Sequence, residues 1–254
     1  MIAAINRLYR TIFCRGGHGV HSPFVFDLIT KVVEEKESYY CYERLSAVRK
    51  QLQQNCDKII CRDREYAIKD FLNKFCFSER EYQLLFRLAN RFQPQTIYVL
   101  GSDLGLAPLY LTSWSERASC IVFEREPSMA VVARKVVDKY SYASIYIQAF
   151  DNPEIADDSI IDLIVWGNTY TDFAGDTKHD DNAFSIEAFK GFLPYLNDNS
   201  IMIVSGINSS RKNQETWKMI CSIPEVTVTL DLYSLGIVFF NPKLHRKMYK
   251  SVVL

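Results

Sequence analysis

The stretch Thr96-Ile97-Tyr98-Val99-Leu100-Gly101-Ser102-Asp103-Leu104-Gly105-Leu106-Ala107-Pro108-Leu109-Tyr110-Leu111 decides the fold. Its first five residues form an apolar, β-rich run, the glycines allow a sharp backbone turn, and the residues from Leu106 resume an apolar pattern at helical spacing. A strand that ends at a glycine turn and enters a helix points unpaired backbone N–H groups at whatever lies above the turn. The next apolar run, Ala118-Ser119-Cys120-Ile121-Val122-Phe123-Glu124, ends in an acid 19 positions after Gly105. That is close to the ~20-residue offset at which a carboxylate takes ribose hydroxyls in nucleotide-binding folds. The glycines are spaced G-x-x-x-G-x-A, so the turn alone suits a plain strand-to-helix junction as well. The order strand, glycine, helix, strand, acid favours a cofactor cradle.

From residue 96 onward the pattern alternates. A strand at 96–100 leads to a helix at about 106–115, a strand at 119–124, a helix opened by Pro127 and a short strand at 144–147. The continuous run Ile160-Ile161-Asp162-Leu163-Ile164-Val165-Trp166 reads as a central parallel strand buried on both faces. A helix near 184–196, a strand at 200–204 and a helix centred on Trp217 follow. The last segments, Glu225 to Asp231 and Gly236 to Phe240, are joined by Leu232-Tyr233-Ser234-Leu235 and read as an antiparallel hairpin. Before residue 96 the chain reads as mainly helical. Ser22-Pro23 opens one helix, whose apolar face continues through Leu28, Ile29, Val32 and Val33, Tyr42 to Gln54 forms a second, and Ser78-Glu79-Arg80-Glu81 is a capping box for a third. The division is a helical extension over 1–77 and an α/β domain over 78–254.

Composition narrows the partners. The 254 residues are 48% hydrophobic, enough to fill a large α/β core, and 30 basic residues balance 30 acidic ones, so no net charge draws a polyanion. The reading is therefore a small-molecule partner and no nucleic acid. Seven scattered cysteines without a C-x-x-C pair argue against a disulfide framework or zinc knuckle and fit a reducing cytoplasm. No apolar run approaches the ~20 residues of a membrane span. Met1 to Phe13, interrupted by Asn6, Arg7 and Arg10, reads as a short amphipathic helix rather than a signal peptide.

The Gly101 to Gly105 turn, Glu124, the segment Asp162 to Asn168 and the closing hairpin together resemble class I S-adenosylmethionine-dependent methyltransferases. Their sheet is Rossmann-like and mostly parallel, with a C-terminal antiparallel hairpin. The segment His18-Gly19-Val20-His21-Ser22-Pro23-Phe24-Val25-Phe26 is similar to one in a bacterial, Bacteroidetes-type branch with a helical N-terminal extension. The resemblance implies S-adenosylmethionine as cofactor. Gly101, Ser102 and Gly105 would let the backbone approach its methionine part, and Glu124 would accept both ribose hydroxyls. Phe150, in the turn Gln148-Ala149-Phe150, would flank the adenine or fill the core, with Trp166 bordering the cofactor at the end of the fourth strand.

The chain also departs from that pattern. Leu100 stands where relatives end the first strand in an acid, Trp166-Gly167-Asn168-Thr169 replaces an Asp-Gly-Asn-His type turn, and Ser205-Gly206 replaces paired aspartates. Magnesium in the catechol-type relatives needs carboxylates at these strand ends, so no metal is expected. Methyl transfer requires mainly alignment of nucleophile and methyl, with removal of a proton in some cases. Candidates for that chemistry are His18 and His21, by their titration range, and Asn168, Tyr170 and Asn208, by their place after strands. His21-Ser22-Pro23 also suits a helix start. Asp172 to Asp181, with four aspartates, reads as a solvated loop rather than a cation site. The leading reading is a metal-independent methyltransferase acting on a small molecule in a bacterial cytoplasm, with the N-terminal helices as a lid, a separate module or an oligomer interface. The alternative is a catalytically degenerate methyltransferase-fold protein that binds a nucleoside-like ligand or a protein partner. An NAD-dependent oxidoreductase is disfavoured by the glycine spacing and the hairpin.

Overall fold

The alternation beginning at residue 96 builds one eight-stranded sheet. The computed structural model describes Arg10, Cys14 and residues 16–149, 159–167 and 185–253. A hairpin of β1 (Lys58–Cys61) and β2 (Arg64–Ala67) stands apart from the sheet. The sheet strands are β3 (Thr96–Leu100), β4 (Ser119–Glu124), β5 (Ser144–Ala149), β6 (Leu163–Trp166), β7 (Ile201–Ser205), β8 (Val228–Asp231), β9 (Leu235–Phe239) and β10 (Lys247–Lys250). Their spatial order is β10-β8-β9-β7-β6-β3-β4-β5, and β9 is antiparallel to both its neighbours. This is a Rossmann-like methyltransferase sheet with an N-terminal helical part.

Side-chain alternation along the strands sorts the core into two layers. Ile97, Val99, Leu163, Val165, Ile201 and Ile203 face one side, and Tyr98, Leu100, Ile164, Trp166, Met202 and Val204 the other. The first side is covered by α1 (Pro23–Leu28), α2 (Tyr42–Gln54), α3 (Ile68–Phe75), α4 (Glu79–Phe92), α5 (Leu106–Thr112) and α6 (Pro127–Tyr140). The second is covered by α7 (Ile186–Phe192) and α8 (Arg211–Ser222), through Phe189, Phe192 and Trp217. Val25, Leu28 and Leu45 of the extension share a core cluster with Ile97 and Leu163 of the sheet. No helix among the described residues is long and apolar enough to cross a membrane.

Local chemistry explains the boundaries of α4. Ser78 accepts the Glu81 N–H while Glu81 accepts the Ser78 N–H at 2.8 Å, and Gln93 closes the helix in the left-handed region at φ 53°. Ser78→Ala should lower stability by about 1 kcal/mol, read as a lower urea midpoint at unchanged slope. A change indistinguishable from zero would show that the cap is redundant with the packing of α4.

Two helix boundaries differ from expectation, and a hairpin and an edge strand are added to the rest. The helix expected from Ser22 through Val33 divides, because after Leu28 the bonds widen into a π-helical turn over Ile29–Val33, with Glu34 N reaching Ile29 O at 2.9 Å. The helix after Gly105 stops at Thr112 instead of 115. The extension, mainly helical as expected, also holds a hairpin, in which β1 and β2 pair across Arg62 and Asp63, both at positive φ (50° and 61°). Two such residues match the twist of a tight hairpin, but the usual glycine or asparagine signal is missing. Finally, the closing hairpin is not the edge of the sheet, because β10 adds in parallel to β8.

Candidate functional site

The sheet reverses direction at β3: β4 and β5 extend to one side, β6 and β7 to the other. In such sheets ligands bind at the carboxyl ends of the strands beside that switch point. Glycines occupy both strand ends there. Gly101, at φ 91°, donates its N–H to Phe123 O at 2.8 Å, and Gly167 donates to Leu100 O at 2.9 Å. A Cβ on Gly167 would lie 3.0 Å from Leu100 O, so a side chain there would press the two strand ends apart by a few tenths of an ångström.

Glu124 ends β4 directly beside this turn. Its Oε2 accepts both the Ser102 N–H at 2.8 Å and the Ser102 hydroxyl at 2.6 Å, and its Oε1 accepts the Glu126 N–H at 3.1 Å. The residue is 1% exposed. Burial raises the pKa of its carboxyl, and the bonds from Ser102 and Glu126 oppose that rise. A carboxylate offers about four lone-pair positions, and three are filled from within the chain, leaving one on Oε1. The carboxylate thus has the acceptor chemistry to take a ribose hydroxyl. In the conformation seen, Ser102 occupies the oxygen a second ribose hydroxyl would need.

The rest of the turn faces the helical layer. Asp103 and Leu104 follow at φ 51° and 57°, a left-handed pair without glycine. What holds them is the Asp103 carboxylate, whose Oδ2 accepts the Tyr82 hydroxyl at 2.6 Å and the Phe77 N–H at 3.3 Å, both from the start of α4 and its approach. Burial pushes the Asp103 carboxyl up to about 6 against these bonds and the Cys76 thiol. Sequence reading passed over Asp103, because nothing in G-S-D-L-G shows that its partner lies 21 positions upstream. Gly105 is closely packed: its φ is 91°, and a Cβ there would meet Ala133 O at 3.0 Å and Val136 at 3.1 Å on α6.

The other candidates separate. Trp166 is 2% exposed and belongs to the core layer under α7, its ring edge-on to Phe192 with centroids 5.9 Å apart. Leu100 pairs with it in register and lies in the same layer. Asn208 follows β7, but its amide donates to Tyr233 O at 2.8 Å, beside Asp231. Arg10 grips that Asp231 with two guanidinium nitrogens and lies 5.4 Å from the Tyr233 ring centroid, at the end of β8. His18 and His21 are exposed. Three residues after His21, Phe24 packs on Phe92 and Phe239, rings next to the starts of β3 and β7. His21 therefore lies toward the amino ends of the parallel strands, opposite the glycine turn, and Ser22 caps α1 by accepting the Val25 N–H at 3.4 Å. Phe150, Asn168, Tyr170, the aspartate-rich segment Asp172 to Asp181 and most of Met1 to Phe13 lie outside the described residues.

No family model matches the chain, and no curated protein matches it in sequence. Solved structures do match in fold. A methyltransferase from Geobacter sulfurreducens is 16% identical, with a TM-score of 0.55 over 82% of this chain and 92% of its own. An O-methyltransferase from Bacillus cereus, solved in complex with SAH, is 13% identical, with a TM-score of 0.52 over 85% and 97%. A protein from Corynebacterium glutamicum is 14% identical, with a TM-score of 0.53 over 86% and 97%. At these identities the likeness is one of fold.

Proposed function

We propose that this protein binds S-adenosylmethionine over the Gly101–Gly105 turn and transfers its methyl group, without a metal, to a small acceptor in a bacterial cytoplasm. The observation that carries the reading is the Glu124 carboxylate, held at the end of β4 within hydrogen-bond reach of the glycine turn at the switch point. Bound there, the cofactor would supply a methyl group already activated on a sulfonium. The chain's own part is to orient and to exclude water. Glu124 takes the ribose hydroxyls once Ser102 yields Oε2, and Gly101 and Ser102 let the backbone approach. Trp166, Ser205 and Gly206 end the strands where a magnesium site would need carboxylates, and none supplies one. With Asn208 committed to Tyr233 O, the reading assigns no proton-accepting side chain among the described residues; alignment carries the catalysis.

Titration calorimetry with S-adenosylmethionine and S-adenosylhomocysteine tests the reading. Both should bind, and Glu124→Ala should weaken binding at least about tenfold, since a charge-assisted bond contributes about 1.5–3 kcal/mol. Failure of the folded protein to bind either ligand would overturn it. The closed state of Glu124 favours a second reading, a methyltransferase-fold protein that binds a nucleoside-like ligand or a protein partner without catalysis. That reading expects cofactor binding without methyl transfer to any member of a broad acceptor panel, or no cofactor binding at all.

A further inference from the structure

Arg87 interrupts the apolar stripe of α4 between Leu84 and Leu88 and is only 7% exposed. Its Nε donates to Val32 O at 2.6 Å, Nη2 to Val33 O at 3.2 Å and Nη1 to the Tyr42 hydroxyl at 3.4 Å. A guanidinium has five N–H donors, so these three bonds leave two N–H groups without a partner among the described residues. Nor does Arg87 form an ion pair among the described residues. The carbonyls at the end of the π-helical turn offset part of its charge through the helix dipole. A buried cation satisfied only by neutral groups is otherwise costly, and such charges are ordinarily paired.

Arg87 lines a cavity of about 390 Å³. Arg80, Gln83 and Arg87 recur at helical spacing along one face of α4, and Lys36 and Ser38, from the segment after the π-helical turn, also line the cavity. Three acids also border the cavity. Two are already engaged: Glu34 accepts the Gly16 N–H at 2.9 Å, and Glu35 accepts the Lys36 and Glu37 N–H groups at 2.8 and 2.9 Å. Glu37 is exposed. Neutral N–H groups leave these acids charged, so the lining carries no net charge, and what it offers an incoming group is the unfilled donor fork of Arg87 with Arg80 on the same helix.

We infer that this cavity is a binding site for a small molecule carrying an oxyanion, a phosphate or carboxylate group taken by the two remaining N–H groups of Arg87 and by Arg80. The site is separate from Glu124 and does not depend on the function proposed for it. A planar, two-pronged donor matches such a group in a way that a single ammonium does not.

Calorimetry on the full chain at low ionic strength tests this, with inorganic phosphate in one arm and succinate in the other to distinguish the two sources of oxyanion. At least one should bind saturably. Arg87→Lys, which keeps the charge and removes the fork, should weaken it about tenfold. Arg80→Gln should weaken it several-fold while the far-ultraviolet circular dichroism stays unchanged. Absence of saturable binding of either anion up to about 10 mM would overturn the inference. So would an affinity unchanged in Arg80→Gln, which decides the matter on its own if Arg87→Lys does not fold.

Discussion

Asp103→Asn should gain stability relative to the unsubstituted protein as pH rises from about 4 to about 7, by about 3 kcal/mol across that range. The magnitude follows from a carboxyl pushed up to about 6 in the folded chain against about 3.9 when unfolded, at about 1.4 kcal/mol per unit. The sign follows from which state holds the proton. Between the two values the folded protein keeps a proton that the unfolded chain has released, so the contribution of Asp103 is full below about 4 and is lost as pH rises through about 6. Glu124, raised in the same direction by burial, acts in the same sense and is untouched by the substitution, so the difference between the two proteins isolates Asp103. Urea denaturation at several pH values gives that difference directly. A difference that stays flat from pH 4 to 7 would place the Asp103 carboxyl in the ordinary range and remove burial as its governing influence. Asparagine can still accept from Tyr82 and Phe77, so the left-handed pair Asp103–Leu104 is expected to survive.

Trp166→Ala should cost about 4 kcal/mol, the usual range for deleting a large buried aromatic being about 3–5 kcal/mol. The indole is among the largest fully buried side chains and packs against Phe192 in the layer beneath α7. Total stability is about 5–15 kcal/mol for ordinary domains, so the urea midpoint should fall steeply. Cofactor affinity, measured on the folded fraction, should change far less. The opposite result, a loss below about 1 kcal/mol with binding abolished, would return Trp166 to the ligand site where its position at the end of β6 had suggested it.

Strand and helix boundaries from residue 96 were largely readable in the chain because they depend on neighbours in sequence. β3 and β4 cover 96–100 and 119–124 as their apolar runs foretell, and the Ser78 capping box opens α4 where its pattern places it. The hairpin of β1 and β2 escaped because its Arg62-Asp63 turn adopts left-handed angles without the usual residues. β10, with only Tyr249 buried, escaped because an exposed edge strand need not show alternation.

The candidate site divides along the same line. The amino-acid sequence alone determined that a glycine turn would leave β3 and that an acid would end β4, because a chain's direction and period are local properties. Only the tertiary structure decided what those groups do. It turned Ser102 onto Glu124, tied Asp103 to Tyr82 across 21 positions and brought α6 close against Gly105. It also carried the Ser22–Phe24 segment that follows His21 to the opposite ends of the strands and buried Arg87 behind a cavity. Each outcome depends on which distant residue arrives as hydrogen-bond partner or neighbour. That is fixed by packing the two faces of the sheet, which no local spacing encodes.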